Sequence, residues 1–318
     1  NNITMDGQDS VTILGGTNNT LTNINISDTW VGMIIEGQQN HLENITIHNV
    51  SRFGVVFHSH YNMLHNGGLT NIGGHSIILK EGAAHNRIED VYMYTDKQPS
   101  YDTIFGYYGS GRNNSASNLT IHGNSTICAQ FYDSQENSLN DSVLYGCGNA
   151  VDLSNEDSFN NSLYNNIFNT SKNLNLNNNI QYFNLTATQK TNIMGNPIFG
   201  GNVWTNPSGT GWSDNCSDTQ PPYGICDEQY NLTNETPFLA DHLPLTLDTQ
   251  PPEITVLSPN RTLYAKGEVW FNISVSDRTR VSSCWYRIDD DTNRTMSNES
   301  TLYYHLNMSI ENGQHTAF

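Results

Sequence analysis

Short apolar–polar alternations recur along the first two-thirds of the chain. Ile24-Asn25-Ile26, Ile45-Thr46-Ile47, Val91-Tyr92-Met93 and Leu119-Thr120-Ile121 carry apolar residues at alternate positions, the period of a strand with one buried face. About ten residues later a second apolar run follows, often after a small residue: Gly32-Met33-Ile34-Ile35, Gly54-Val55-Val56-Phe57, Ser76-Ile77-Ile78-Leu79 and Ala150-Val151-Asp152-Leu153. An Asn-x-x-x-Asn/Asp spacing marks the units: Asn19 to Asn23, Asn40 to Asn44, Asn62 to Asn66, Asn86 to Asp90, Asn114 to Asn118, Asn137 to Asp141, and Asp157 to Asn161. Successive starts differ by roughly 20 to 28 residues. A unit this small cannot bury an apolar face alone, but stacked on its neighbours it can. The pattern predicts an all-β chain that opens with a right-handed parallel β-helix over residues 1–195. Equivalent apolar residues stack inside it, and asparagines stack at the corners, where they tolerate left-handed backbone. An antiparallel sandwich with Asn-rich turns is the alternative, and it leaves the recurring register of the Asn pair unexplained.

Near Asn196 the period breaks. Residues 196–248 are rich in Gly, Trp and Pro (Gly201-Asn202-Val203-Trp204, Gly211-Trp212-Ser213-Asp214) and read as a cap or junction over the last coil. Thr249-Gln250-Pro251-Pro252 reads as a stiff linker. In 249–318 four alternating runs and the pair Cys284-Trp285 predict an immunoglobulin-like β-sandwich. About 68 residues follow Pro251, against ~100 for such a sandwich, so it reads as incomplete. At the other end, Asn2-Ile3-Thr4-Met5-Asp6-Gly7 already reads as a coil with nothing before it to cap the edge.

Composition narrows the function. The net charge is −18, from 13 Lys+Arg against 31 Asp+Glu, which argues against nucleic acid and anionic lipid as partners. No apolar run reaches the ~20 residues of a membrane span, so no direct membrane insertion is expected. About one residue in seven is Asn. Asn-x-Ser/Thr sequons begin at Asn2, Asn18, Asn25, Asn44, Asn49, Asn113, Asn118, Asn124, Asn140, Asn160, Asn169, Asn184, Asn215, Asn231, Asn234, Asn260, Asn272, Asn293, Asn298 and Asn307, modestly more than random placement gives. They predict N-glycans and an extracellular or cell-surface location. Cysteine usage agrees: Cys216 and Cys226 flank a Pro-Pro turn and predict a disulfide, Cys128 and Cys147 lie about one repeat apart and could be bridged, and Cys284 has no evident partner.

The coils resemble those of the periplasmic copper-processing protein family and of related carbohydrate-binding and sugar-hydrolase β-helix modules. In that family the coils end in a Gly-Asn-Tyr-Trp-Ser-Asp-Tyr segment, an Asp/Gly-rich run, then Pro-Tyr and Asp-Tyr-x-Pro-Leu. This chain has Gly201-Asn202-Val203-Trp204, Trp212-Ser213-Asp214, Pro222-Tyr223 and Asp241-His242-Leu243-Pro244-Leu245, with the Cys216–Cys226 loop in place of the Asp/Gly-rich run. Pro251-Pro252-Glu253-Ile254, Val275-Ser276-Asp277 and Ser282-Ser283-Cys284-Trp285-Tyr286 resemble Ig-like modules of archaeal surface proteins. These resemblances imply a β-helix on an archaeal cell surface and no particular activity.

Catalytic signals are weak. Sugar hydrolases on β-helices need carboxylates converging on one face. Glu36, Glu43, Glu81, Glu89, Asp90, Asp96 and Asp102 are scattered, and Glu89 and Asp90, adjacent in a strand, should point to opposite faces. His41, His48, His58, His60, His65, His75 and His85 cluster, and His58 with His60 on one strand face could gain a third metal ligand from a neighbouring coil. Calcium at Asp289, Asp290 and Asp291 is the only cofactor suggested; otherwise none is expected. The expected function is therefore a non-enzymatic, N-glycosylated structural protein of an archaeal surface, a homopolymer forming a filament or surface layer through its open edges. The alternatives are an adhesin that binds glycans or other surface proteins, and a polysaccharide lyase, hydrolase or epimerase.

Overall fold

A computed structural model describes residues 3–5, 11–13, 16–80, 82–96, 103–177, 179–233, 239–247, 252–259, 269–277, 281, 283–289, 292–299 and 302–307. Two compact units emerge, residues 1–216 with 224–247 and residues 217–223 with 248–318. The first is a parallel β-solenoid of about 7 turns. Its first sheet runs through Thr20–Ser27, His41–His48, Met63–Thr70, Arg87–Thr95, Thr120–Gly123, Val143–Tyr145, Ile167–Asn169 and Val203–Thr205. Its second runs through Val11–Ile13, Val31–Ile35, Phe53–Phe57, Ile77–Leu79, Thr103–Tyr108, Ile127–Tyr132, Asn149–Leu153 and Lys172–Leu176. Every strand pair in these two sheets is parallel, which removes the sandwich alternative for this unit.

The register stacks like on like. Ile26, Ile47, Leu69, Met93, Ile121, Leu144, Phe168 and Trp204 form one interior row. Met33, Val55, Ile77, Phe105, Ala129, Val151 and Leu174 form the facing row. All but Leu174 are buried. Each fully buried aliphatic side chain contributes about 1.5–3 kcal/mol, so the rows supply most of the driving force. The small residue before each second-sheet run has a steric cause: a Cβ on Gly54 would come within 2.3 Å of the Ser76 carbonyl oxygen in the next coil.

Asparagine fills two further rows. Asn40, Asn62, Asn86, Asn114, Asn137 and Asn161 are buried, and each backbone N–H from Asn19 to Asn137 donates to the Oδ1 of the Asn one coil on, at 2.8–3.0 Å. Four residues later Asn23, Asn44, Asn66, Asp90, Asn118, Asp141 and Asn165 all have φ between 52° and 57°. These are left-handed corners, which Asn and Asp tolerate best after Gly. The last repeat is therefore Asn161 to Asn165. Asp157 lies outside the buried row, because the preceding turn carries extra residues and only the hydrogen-bond register fixes which Asn is the rung. A second buried row opens at Ser142, passes through Asn166 and Asn202, and ends on Asp241. The solenoid's hydrogen-bond pattern thus continues beyond residue 195.

Cys128 and Cys147 are bridged within the solenoid wall, and Cys216 with Cys226 in the terminal segment. The first closes 19 residues, worth about 3 kcal/mol on chain-entropy grounds. Cys284 is free.

The second unit contains an antiparallel sheet ordered Glu253–Ser258, Val269–Ser276, Leu302–Asn307, Ser297–Glu299, and a two-stranded ribbon of Trp285–Tyr286 with Arg294–Thr295. Its core is Phe271, Val275, Tyr286, Ile288, Met296 and Tyr303. The Cys284-Trp285 pair that suggested the sandwich is not a core pair here. Instead Trp285 is 58% exposed and Tyr286 turns inward to stack on Phe271 with centroids 4.2 Å apart, because alternation lets only one of the pair face the core.

Candidate functional site

Left-handed corners also re-aim the acidic residues. Across Ile88-Glu89-Asp90-Val91 the burial runs inside, outside, outside, inside, since Asp90 at φ 57° interrupts the alternation. Glu89 and Asp90 therefore share the outer surface rather than opposing one another. There Glu89 pairs with Arg87, while Asp90 Oδ2 lies 2.7 Å from His65 Nε2. His65 Nδ1 is 2.9 Å from Glu43 Oε2, which also meets His41 Nε2 at 3.1 Å. Hydrogen bonding to Glu43, then to Asp90, raises the His65 pKa; the bond to His65 lowers that of Glu43. A histidine with a carboxylate on each nitrogen is a two-fold donor, so this cluster stabilises imidazolium.

Further along the same face is an aromatic shelf. His122 stacks on Tyr145 (4.5 Å, 9°), lies 4.5 Å from Tyr94, and its Nε2 is 3.1 Å from Tyr92 Oη. The second sheet's outer face carries a buried counterpart. His75 packs on Phe53, its Nδ1 hydrogen-bonds the Thr103 carbonyl at 3.0 Å, and burial depresses its pKa to about 4.

At the C-terminal end the two sheets are unequal. The first gains Val203–Thr205, but among the described residues no strand of the second sheet follows Lys172–Leu176. The one-turn helix Trp212–Asn215 takes up the chain instead, leaving a cavity of about 500 Å³. Trp204, Trp212 and Tyr230 line it, with the Trp212 and Tyr230 rings 5.1 Å apart at 21°. Above it the first sheet's end is closed by Asp241, which accepts the backbone N–H of Asn202 (2.8 Å) and Leu243 (3.0 Å) and the Trp204 indole N–H (2.9 Å). Burial outweighs these bonds and raises the Asp241 pKa to about 6. No motif pointed to this cavity, because its walls come from segments 170–176, 204–212 and 230–233, which meet only in the fold.

The sequon asparagines are mostly distinct from the buried ones. Asn18, Asn25, Asn44, Asn113, Asn118, Asn124, Asn215, Asn231 and Asn293 are exposed; Asn49, Asn140, Asn160, Asn169, Asn184 and Asn272 are half-buried. Asn298 and Asn307 lie in strands, and Asn2, Asn234 and Asn260 fall outside the described residues. The buried rungs Asn40, Asn62, Asn86, Asn114, Asn137, Asn161, Asn166 and Asn202 begin no sequon.

The proposed metal ligands are not assembled. His58 and His60 follow the strand Phe53–Phe57 rather than sharing its face, and His60 Nδ1 accepts the Ala84 N–H at 3.1 Å. Asp290 and Asp291 fall outside the described residues. Among the described residues no three His, Cys, Asp or Glu side chains are grouped to hold a metal ion, nor is any helix long and apolar enough to cross a membrane.

No curated protein has a sequence that matches this chain. Residues 1–209 match the family described as periplasmic copper-binding protein (NosD). Copper does not fit the donors described here: both His65 nitrogens face carboxylates, and four of the five cysteines are in disulfides. Fold and coil pattern nevertheless agree with the match over about two-thirds of its length, and the chain belongs to the NosD family of parallel β-helix proteins, whose description places them in the periplasm, outside the cytoplasm.

Proposed function

We propose that this chain is a non-enzymatic, N-glycosylated scaffold of an archaeal cell surface that works by assembling with copies of itself. The observation that carries assembly is the edge strand Glu253–Ser258, on which Ile254 is 58%, Val256 61% and Leu257 47% exposed. Among the described residues no strand pairs its outer edge, and an apolar edge strand is a template for strand addition by a neighbour. Such an addition would extend the second unit toward an Ig-like module. Repeated head to tail, the contact makes a filament or sheet. Glycosylation is supported by the exposure of the sequon residues Asn18, Asn25, Asn44, Asn113, Asn118, Asn124, Asn215, Asn231 and Asn293, and an oxidising compartment by the two disulfides. The solenoid acts as a rigid spacer, its outer carboxylates Glu43, Glu89 and Asp90 engaged in ion pairs.

Sedimentation velocity on native protein, with glycopeptide mass spectrometry of the same sample, tests both parts. Concentration-dependent assembly abolished by the double change Ile254→Lys and Val256→Lys is expected, with sugar on Asn25, Asn44, Asn118 and Asn124. A monomer at every concentration overturns assembly, and unmodified sequons throughout overturn the glycoprotein reading.

A further inference from the structure

The cavity at the end of the solenoid has a different character from the rest of the surface. We infer that it is a saccharide-binding site that takes a short, hydroxyl-rich oligosaccharide and favours an acidic one over a neutral one. Three observations converge. First, its geometry is that of an omitted strand. Leu174 and Leu176 continue rows whose earlier members Val151 and Leu153 are fully buried, yet both are only half-buried. Beyond them, alternate backbone groups of Lys172–Leu176 face no further strand among the described residues, so peptide donors and acceptors stand along one wall. Second, the opposite wall is aromatic, Trp212 over Tyr230, and the Trp212 indole Nε1 is buried with no hydrogen-bond partner. A buried donor left unpaired costs about 1–3 kcal/mol, which a ligand oxygen would return. Aromatic faces beside amides and hydroxyls suit a ligand with apolar ring faces and polar rims. Third, the charge that lines the cavity is positive, while the nearby carboxyls of Asp214 and Asp241 stand behind the lining, taken up by Thr205, Gly211 and Trp204. In a chain of net charge −18, Lys172 is the single charged residue among those lining the cavity. Its Nζ is held 2.9 Å from Asn175 Oδ1.

An apolar β-strand is the rival occupant. The lining opposes it, since Lys172, Asn175, Asn206 and Thr233 are polar where a completing strand would need an apolar floor. A coaxial second copy is opposed as well, because Asp241 and Leu245 already close the first sheet's end on Asn202.

This inference is independent of the assembly reading, so each stands or falls separately. The test titrates the full chain with tetragalacturonate and with cellotetraose as neutral control, followed by calorimetry and the tryptophan indole region of a ¹H–¹⁵N spectrum. Saturable binding is expected, at least 5-fold tighter for the acidic oligomer, with one indole resonance moving, the one missing in Trp212→Phe. That variant keeps an aromatic face, though a smaller one, and deletes the donor, and should weaken binding about 3- to 10-fold. Lys172→Gln should erase the acidic preference while leaving neutral binding in place. No binding of either oligomer to folded protein overturns the proposal. So does binding that both variants leave unchanged, or competition by a strand-forming peptide in place of sugar.

Discussion

Asn114 and Asn44 are the same residue used in two unrelated ways. Asn114 is buried; its Oδ1 accepts both the backbone N–H and the Nδ2 of Asn86, and its own Nδ2 reaches back to the Ala83 carbonyl at 2.8 Å. Asn44 is exposed at φ 56°, where its value lies in the backbone angle it tolerates. The asparagine excess thus has two physical causes, amide pairing in a dry interior and left-handed corners. Substitutions separate them.

Asn114→Leu should do the most damage. It strands the Asn86 backbone N–H and amide and the Ala83 carbonyl in the interior, a loss of roughly 3–9 kcal/mol of solenoid stability at about 1–3 kcal/mol per group. Urea unfolding read at the solenoid's transition measures it. A loss below about 1 kcal/mol would mean that water replaces the rung.

The carboxyl that ends the second row is next. Asp241→Ala should cost about 3–5 kcal/mol, since it leaves the Trp204 indole and two backbone N–H groups unpaired. Asp241→Asn should cost less and change the pH dependence. The folded-state pKa of Asp241 is raised from 3.8 to about 6, so the fold holds its proton more tightly than the unfolded chain does. Its contribution is complete below pH 4 and is lost as pH rises through 6. His75 runs the other way. Lowered from 6.5 to about 4, it favours the fold fully above pH 6.5 and loses that contribution as pH falls toward 4. Each is worth about 3 kcal/mol, so between pH 4 and 6 they largely offset. Asp241→Asn should unmask the His75 arm as a steep fall in stability on acidification, seen as a drop in melting temperature from pH 6.5 to 4.5. An unchanged profile would remove either group from this account.

Asn44→Ala should lose about 1 kcal/mol, the cost of a left-handed alanine, while Asn44→Gly should be close to neutral. Equal losses would mean that the exposed amide bond from Asn44 Nδ2 to Asn23 Oδ1, rather than the backbone, holds the corner. The smallest effect belongs to His65. Its raised pKa favours the fold below pH 6.5 and ceases to do so as pH rises through the folded-state value; His65→Gln should flatten only that limb.

The solenoid was legible because its rungs recur: a buried Asn and a left-handed Asn four residues later leave a mark in the sequence that hydrophobicity alone does not. Three strands of the second sheet, Thr103–Tyr108, Ile127–Tyr132 and Lys172–Leu176, left a weaker mark. In the first two, both faces are largely buried, so alternation fades. The third is Asn-rich and reads like a turn. Lys172 and Trp212 were illegible as a pair, since 40 positions separate them and only the stagger of the two sheets brings them to one cavity. The Cys128–Cys147 bridge was half-legible: spacing offered it, and the register of adjacent coils supplied the 5.6 Å Cα separation.

Along the first buried row the backbone N–H groups and the side-chain oxygens that accept them share one direction. From Asn19 to Asn137 each N–H is aimed toward the C-terminal coils and each side-chain oxygen back toward the N-terminal ones. Such a column has a polarity, as a helix does, and the parallel second row through Asn166 and Asn202 runs the same way and ends its N–H series on the Asp241 carboxyl. Duplication of one complete turn adds a link and leaves every other link intact. A partial turn would set an amide against a neighbour with nothing to exchange. A gene of this kind therefore lengthens or shortens its product by whole coils, inserted upstream of the closing carboxylate.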